Sequence, residues 1–287
     1  MTDEALSPDS SVLGRPNSYI GKVVPRPNVR KLVRGKGQFV DDLTLPRMVH
    51  AVFLRSPHAH AKITSIDTSE AAGMPGVVRV VTGAQLAEYC EPWVGVLTHM
   101  VGLKSAPQHA IAVNKVSWQG EAVAAVVANS RAEAEDAAAM IEVDYEELPA
   151  VTDAETAGDP GTHVIHPELG DNIAFENGVE SGDVDAAFAA ADLVVEETYN
   201  FDRHTGVTLE PRVILADYDE ADDKLTVHMS NQAPHMMQHI FAKHLGIHEG
   251  QVRVICKDVG GSFGIKVHVY ADEMAAAALS RMLCRPV

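Results

Sequence analysis

The sequence is short of cysteine, of positive charge and of long apolar runs, and each shortage excludes something. Three cysteines, Cys90, Cys256 and Cys284, are spread through 287 residues. They are too few and too scattered for a disulfide framework or a zinc knuckle, and they fit a reducing compartment. No stretch approaches the ~20 apolar residues that a membrane helix requires. The opening "MTDEALSPDSSVLGR" holds acids and helix breakers where a secretory signal would hold a basic segment and an apolar core. The cytoplasm is the expected compartment. Lysine and arginine number 23 against 40 acidic residues, a net charge of −17. Such a surface repels nucleic-acid backbones and anionic membranes, which excludes general binding to either.

Several chemical signatures are missing as well. There is no G-x-S-x-G elbow, and no cysteine stands in a recognisable nucleophile context. His235 and His239 lie four apart in "HMMQH", but the glutamate of H-E-x-x-H is absent and no further ligand stands at useful spacing. Half-buried or surface histidines are expected there, and likewise at His58 and His60. The stretch "KDVGGSFGIK" fails the P-loop pattern, since Ile265 stands where glycine must precede the lysine and Val267 where serine or threonine must follow. It also lacks the glycine spacing of a dinucleotide fingerprint.

With 46% hydrophobic and 22% charged residues, the chain has the balance of a globular protein, and its length suggests about two domains. Residues 1–28, rich in Ser, Pro, Asn and Gly, read as a tail. Residues 22–37 carry six basic side chains and no acid, either a solvated or subunit-facing segment or, less simply, a phosphate-contacting arm. Residues 133–159 carry ten acids and no base, as a solvated helix face running into a linker would. From Met48, "MVHAVFLRS" reads as a strand, and "HAKITSIDTSEAAGMPGVVRVVTG" as strand, short helix, turn and strand. "EAVAAVVA" is a short apolar run, as expected of a strand buried on both faces. Ser130, with Glu133 three residues on, opens an alanine-rich helix by a capping-box pattern, followed by the strand "IEVDYEEL". These elements predict an α+β unit ending near residue 150.

Beyond a polar connector and the short helix "GDVDAAFAAAD", the chain turns strand-rich from "LVVEETYNF" onward. "VILADYDEADDKLTVHMSNQ" predicts two strands joined by an acidic turn. Pro234 opens and Gly246 closes a helix whose apolar stripe is Met236, Met237, Ile240, Phe241 and Leu245. "QVRVICKDV" alternates as a strand does, the glycine loop follows, and "YADEMAAAALSRML" is a helix. The last residues, "CRPV", place a proline where a next strand would open, so an interrupted fold is expected.

The glycine loop lets backbone approach something closely, with Phe263 either wedged beside the approaching group or plugging the core. Gln232, between a strand end and a proline-started helix, can point a neutral amide into a cleft or satisfy nearby backbone groups.

Taken in order, these stretches resemble one family. "RGKGQFVDDLTLPRMVHAVFLRSPHAHAKITSIDTSEAAGMPGVVRVVTG", "VSWQGEAVAAVVANSRAEAEDAAAMIEVDYEELPAV", "GDVDAAFAAADLVVEETY", "LEPRVILADYD", "SNQAPH" and "DVGGSFGIK" are similar to the N-terminal part of the molybdenum-cofactor-binding large subunit of the xanthine dehydrogenase, aldehyde oxidase and carbon monoxide dehydrogenase family. The bacterial carbon monoxide dehydrogenase-like branch is the nearest in pattern. The resemblance implies an α/β hammerhead domain at 29–152, a connector at 153–190 and the first part of a mixed α/β cofactor-binding domain at 191–287, after the tail at 1–28. It implies that Gly261, Ser262, Phe263 and Gly264 approach a molybdenum–pterin cofactor (molybdopterin or its cytosine dinucleotide). Ser262 departs from the glycine usual at its position. Gln232 would be both the catalytic and a cofactor-binding residue, hydrogen-bonding an oxygen on the metal, with no protein side chain ligating molybdenum. The implied chemistry is oxidative hydroxylation of an aldehyde or N-heterocycle with water as oxygen source, or oxidation of carbon monoxide with copper added. Electrons would pass to iron–sulfur clusters and FAD on partner subunits, and a C-terminal portion of the large subunit would supply the glutamate base. A chain of another class, a non-catalytic assembly subunit keeping the fold, is the alternative. An unrelated nucleotide-binding protein ranks below both.

Overall fold

The computed structural model describes Tyr19, Val23, Val24, residues 26–95 and residues 100–287. The tail expected over residues 1–28 lies mostly outside them. Two compact units result, residues 1–38 and 39–287. In the first, the described residues contain one helical turn, α1 (Val29–Leu32). All that follows concerns the second.

Its first half is built on a central strand. Strands β1 (His50–Arg55), β2 (Ala61–Asp67), β3 (Val77–Thr82), β4 (Lys115–Val116), β5 (Ala122–Ala128) and β6 (Glu142–Glu147) form two antiparallel three-stranded sheets, ordered β1-β5-β3 and β4-β2-β6. Two single-turn helices, α2 (Ser69–Ala72) and α3 (Gly83–Leu86), flank β3. Every residue of β5 is buried, as its unbroken apolar run predicts. The period of two divides its side chains between cores: Ala125 and Val127 enter one cluster, Ala124, Val126 and Ala128 another. On the latter face lies α4 (Arg131–Ala138), whose Ala134, Ala137 and Ala138 are small enough for close approach. Ser130 caps α4 by accepting the Glu133 N–H, while the Glu133 carboxylate takes the Ser130 hydroxyl, not the backbone N–H that a full capping box would use.

The second half begins with the seven-residue helix α5 (Val184–Ala190), capped by the Asp183 carboxylate on the Ala186 N–H. The strand expected at "LVVEETYNF" is not formed. Residues 191–205 form no regular element and are exposed, including Leu193, Val195, Tyr199 and Phe201. The alternating pattern is that of a strand, but a strand exists only where a neighbour accepts its backbone bonds, and none does among the described residues. The remaining elements follow the sequence: β7 (Ile214–Asp219), β8 (Lys224–Met229), α6 (Pro234–Leu245), β9 (Val252–Ile255) and α7 (Ala271–Leu283). β8 pairs antiparallel with β7 and parallel with β9, and α6 makes the crossover that a parallel pair requires. Gly246 ends α6 in the left-handed conformation, φ 64°. Met237, Ile240, Phe241 and Leu245 from α6 join Met274, Ala278 and Leu279 from α7, and Ala125 and Val127 from β5, in one apolar cluster. The two halves thus share a core. No described helix is long and apolar enough to cross a membrane.

Glu121, leading into β5, is buried with its Oε2 accepting the Ser117 N–H at 2.7 Å. Burial outweighs that bond and lifts its pKa from 4.5 to about 7. A carboxyl that holds its proton more tightly when folded stabilises the fold below its unfolded pKa, and that contribution disappears as pH rises through the folded one. The shift corresponds to roughly 3 kcal/mol. Between pH 5 and pH 8 the unfolding temperature of the parent chain is therefore expected to fall by several degrees relative to that of Glu121→Gln. A slope unchanged by the substitution would exclude Glu121 as its source.

Candidate functional site

The glycine loop lies between β9 and α7, and its neighbours explain each glycine differently. A side chain at Gly260 would place Cβ 2.5 Å from Cβ of Glu210, and one at Gly261 would meet Thr208 and the Phe263 ring at 3.3 Å. These two glycines let the loop press against residues 208–210 of its own chain. Gly264, at φ 86°, is different: a Cβ there would meet nothing within 4 Å. Its backbone is bare toward open space. Phe263 stands beside it at φ 46° and 75% exposed. The core-plug alternative for Phe263 is thereby excluded. Its Cβ rests over Gly206, where any side chain would come within 2.9 Å.

A buried ion pair anchors the loop from beneath. Lys266 is 1% exposed, with Nζ 3.0 Å from Glu210 Oε2 and 2.8 Å from Ser230 Oγ. The same Glu210 oxygen accepts the Ser230 hydroxyl at 2.6 Å and the Gly260 N–H at 2.7 Å. Burial alone would raise the Glu210 pKa, but the Ser230, Gly260 and Lys266 bonds together bring it below the ordinary value. Lys266, the position a P-loop would aim at phosphate, points inward and is committed. At the far end of the loop Tyr270 donates its hydroxyl to the Ile265 carbonyl, and its ring stacks under the Arg212 guanidinium at 3.8 Å.

Gln232 faces this loop. Its Oε1 accepts the N–H groups of Gly264 at 3.1 Å and Lys266 at 3.3 Å, and its backbone N–H donates to the Lys266 carbonyl at 2.8 Å. Two backbone donors can be met only by the carbonyl end of the amide. The Nε2 end is therefore turned outward, without a partner among the described residues, next to the bare backbone of Gly264. It can donate to a ligand and cannot accept from one. Satisfying backbone groups and pointing an amide into a cleft, separate options for the sequence, prove to be two ends of one side chain.

Gln232 and Gly264 thus stand together beside Phe263, with Gly261 against Thr208 and the Phe263 ring and half-buried Ser262 between them in the chain. Sequence reading missed Glu210 and Ser230 and saw Lys266 only as a failed P-loop lysine. The one available signal was a lysine directly after a glycine loop in a chain short of basic residues. The histidine pairs assemble nothing. Among the described residues no three His, Cys, Asp or Glu side chains converge as metal ligands, and the exposed His239 ring lies 3.6 Å from the Glu249 carboxylate.

Comparison with known proteins gives the family of the chain. Residues 34–149 match the aldehyde oxidase and xanthine dehydrogenase a/b hammerhead domain, and residues 165–287 match the molybdopterin cofactor-binding domain. The chain belongs to the xanthine dehydrogenase, aldehyde oxidase and carbon monoxide dehydrogenase family. It is 38% identical over 270 residues to the nicotine 6-hydroxylase large subunit of Paenarthrobacter nicotinovorans, covering 94% of this chain and 33% of that one. It is 36% identical to the carbon monoxide dehydrogenase large chain of Afipia carboxidovorans, covering 90% and 33%. The crystal structure of quinoline 2-oxidoreductase from Pseudomonas putida superposes with a TM-score of 0.88 at 36% identity, over 93% of this chain and 34% of that one. The chain spans about a third of the length of these relatives. In family terms, the loop and Gln232 belong to the part matched by the cofactor-binding domain.

These residues fit a pterin–metal group on their own evidence. A flat ligand can lie against Gly264 where no Cβ intervenes, Phe263 offers an exposed apolar face, and the outward Gln232 amide offers a neutral donor.

Proposed function

We propose that this chain is the N-terminal part of the large subunit of a molybdenum hydroxylase-type oxidoreductase, and that Gly261, Ser262, Phe263, Gly264 and Gln232 form one wall of its cofactor site. One observation carries this: the Gly264 backbone is open to space beside an outward amide N–H, in a chain of this family. The proposal takes residues 29–152 as the hammerhead domain, 153–190 as connector and 191–287 as the incomplete cofactor-binding domain, in the cytoplasm. Bound there, a molybdenum–pterin cofactor supplies the redox centre for hydroxylating an aldehyde or N-heterocycle with water, or for oxidising carbon monoxide. Electrons go on to iron–sulfur and FAD partner subunits. The comparisons give the assembly-subunit alternative no support, since the relatives named above are a hydroxylase large subunit, a dehydrogenase large chain and an oxidoreductase.

The chain's own contribution is electrostatic and steric. Gln232 would hold an uncharged donor towards a group bound against Gly264, pre-oriented by the Gly264 and Lys266 N–H groups on its oxygen so that little reorganisation accompanies the reaction. Phe263 and Gly264 exclude water from one face of the group and set its depth. In the complete enzyme, Gln232→Ala is expected to lower turnover about 10²-fold, as loss of one oxyanion donor does elsewhere, with molybdenum content unchanged. Gln232→Glu, which can still accept from Gly264 but offers oxygen outward, is expected to be no better. Loss of molybdenum in both variants would make Gln232 a purely structural residue, and turnover close to normal in Gln232→Glu would refute donation by the amide.

A further inference from the structure

The Gln232 amide is the last link of a chain of hydrogen bonds that starts behind the glycine loop. Tyr270, the residue before α7, donates its hydroxyl to the Ile265 carbonyl. That carbonyl and the Lys266 N–H are the two ends of one peptide unit, and the Lys266 N–H donates to Gln232 Oε1 at 3.3 Å. The phenol therefore holds one end of the peptide whose other end orients the amide. Both flanks of this peptide are fixed as well. The Ile265 N–H donates to the Ser262 carbonyl at 3.0 Å, and the Lys266 carbonyl accepts the Gln232 backbone N–H at 2.8 Å. The Gly264 N–H adds a second donor to Oε1 at 3.1 Å.

Each link polarises the next. A donor on a peptide oxygen draws electron density from the nitrogen through the resonance of the amide and makes its N–H a stronger donor. The side-chain amide of Gln232 shares that resonance, so donors on Oε1 strengthen the N–H that Nε2 turns outward. The strengthening is about 10–30% per bond. The first donor is itself prepared. The Arg212 guanidinium lies 3.8 Å from the centre of the Tyr270 ring, held by two bonds of 2.7 Å to Asp272, and a cation on the ring face draws density from the phenol. Asp272 also takes Arg55 of β1 at 3.1 Å, which ties this support to the first half of the unit. Burial, with Glu273 and Asp272, holds the Tyr270 pKa above its ordinary value although Arg212 opposes it. The proton thus stays on the phenol, and Tyr270 acts by donating.

We propose that Tyr270 is a positioning residue of the candidate site, which fixes and polarises the Ile265–Lys266 peptide so that Gln232 presents its outward N–H in one orientation and as a stronger donor. The inference rests on the reading of Gln232 as donor to a bound group, and it adds a residue that acts only through Gln232. Loss of the Tyr270 hydroxyl takes the first donor from the chain and leaves the amide less restrained. The effect is smaller than loss of Gln232 itself, because the Gly264 and Lys266 N–H groups still meet Oε1.

Tyr270→Phe removes the hydroxyl and keeps the ring under Arg212. In the 287-residue chain, nuclear magnetic resonance is expected to show the Lys266 amide proton and the Gln232 side-chain amide protons moving upfield, the latter assigned by their loss in Gln232→Ala. A 3-fluorotyrosine at position 270, whose hydroxyl is the stronger donor, is expected to move the same resonances downfield. In the complete enzyme, Tyr270→Phe is expected to lower kcat about threefold to tenfold with KM and molybdenum content unchanged, and to cost nothing further in a Gln232→Ala background. Unmoved Gln232 resonances, or shifts of one sign in both variants, would overturn the proposal. So would a full additional loss on top of Gln232→Ala, because Tyr270 would then act by another route. Normal turnover in both Tyr270→Phe and Gln232→Ala, with the resonances moved as expected, would instead refute the donor role of Gln232 and leave the positioning by Tyr270 in place.

Discussion

Lys266→Met is expected to lower the stability of the chain by about 3–5 kcal/mol, the range for breaking a buried ion pair from one side. The methionine fills most of the space left by the lysine stem, so a cavity is not the main cost. The cost arises at Glu210, whose carboxylate stays buried under the glycine loop with, among the described residues, Ser230 and the Gly260 N–H as its remaining partners. At roughly 2–4 °C per kcal/mol for a protein of this size, the unfolding temperature falls on the order of 10 °C. The sign of the pH dependence identifies the cause. Without the lysine, Glu210 loses two of the influences that hold its folded pKa down, and that pKa moves up. The stability that the parent chain gains above the unfolded carboxylate range is then smaller in the variant. The deficit relative to the parent chain should therefore shrink as pH falls through the carboxylate range. Adding Glu210→Gln to Lys266→Met should recover most of it, because the buried charge is gone. A double variant no more stable than the single one would mean that the ion pair is not what anchors the loop. Because Lys266 also pairs with Gln232 through its backbone, the single variant should loosen the Gln232 amide as well.

Gly264→Val should separate fold from cofactor. In this chain a Cβ at 264 meets nothing within 4 Å, so the main cost to folding is the strain of a β-branched residue at positive φ, about 1–3 kcal/mol. The circular dichroism spectrum and cooperative unfolding should survive. In the complete enzyme the same isopropyl group stands where the cofactor is proposed to lie, and metal analysis should find molybdenum reduced at least tenfold. The contrast with Gln232→Ala is the informative part. One variant loses the cofactor by steric exclusion, and the other keeps it and loses rate. Full molybdenum content in Gly264→Val would place the cofactor away from this loop, whatever the family relationship. Gly260 cannot serve for this test, since a Cβ there collides with Glu210 and would disrupt the loop itself.

The buried carboxylates pull stability in opposite directions. Glu273, at the start of α7, is pushed up to about 7 by burial, although Arg212 lies 3.2 Å away. That guanidinium is already engaged in two parallel bonds with Asp272, both 2.7 Å. Burial opposes ionisation of Asp272 too, yet the Arg212 and Arg55 contacts hold its pKa below the ordinary value. Glu121 and Glu273 favour the fold at low pH and lose that effect through neutrality, whereas Asp272 and Glu210 favour it above the carboxylate range and lose it in acid.

What the sequence determined by itself is whatever depends on residues a few positions apart. The all-buried β5 follows from an unbroken apolar run, the α6 boundaries from Pro234 and Gly246, the α4 start from Ser130, and the β7–β8 hairpin from alternation around an acidic turn. The same patterning makes "LVVEETYNF" a strand candidate, but pairing needs a neighbour and the described chain offers none. The tertiary structure alone decided what the site is made of. Glycine spacing does not distinguish Gly260, which faces Glu210 fifty positions away, from Gly264, which faces nothing. Nor does it reveal that Lys266 turns inward, or that the Gln232 amide points its N–H outward because two distant backbone donors claim its oxygen. Those facts are set by contacts between segments far apart in the chain, which local periodicity does not encode.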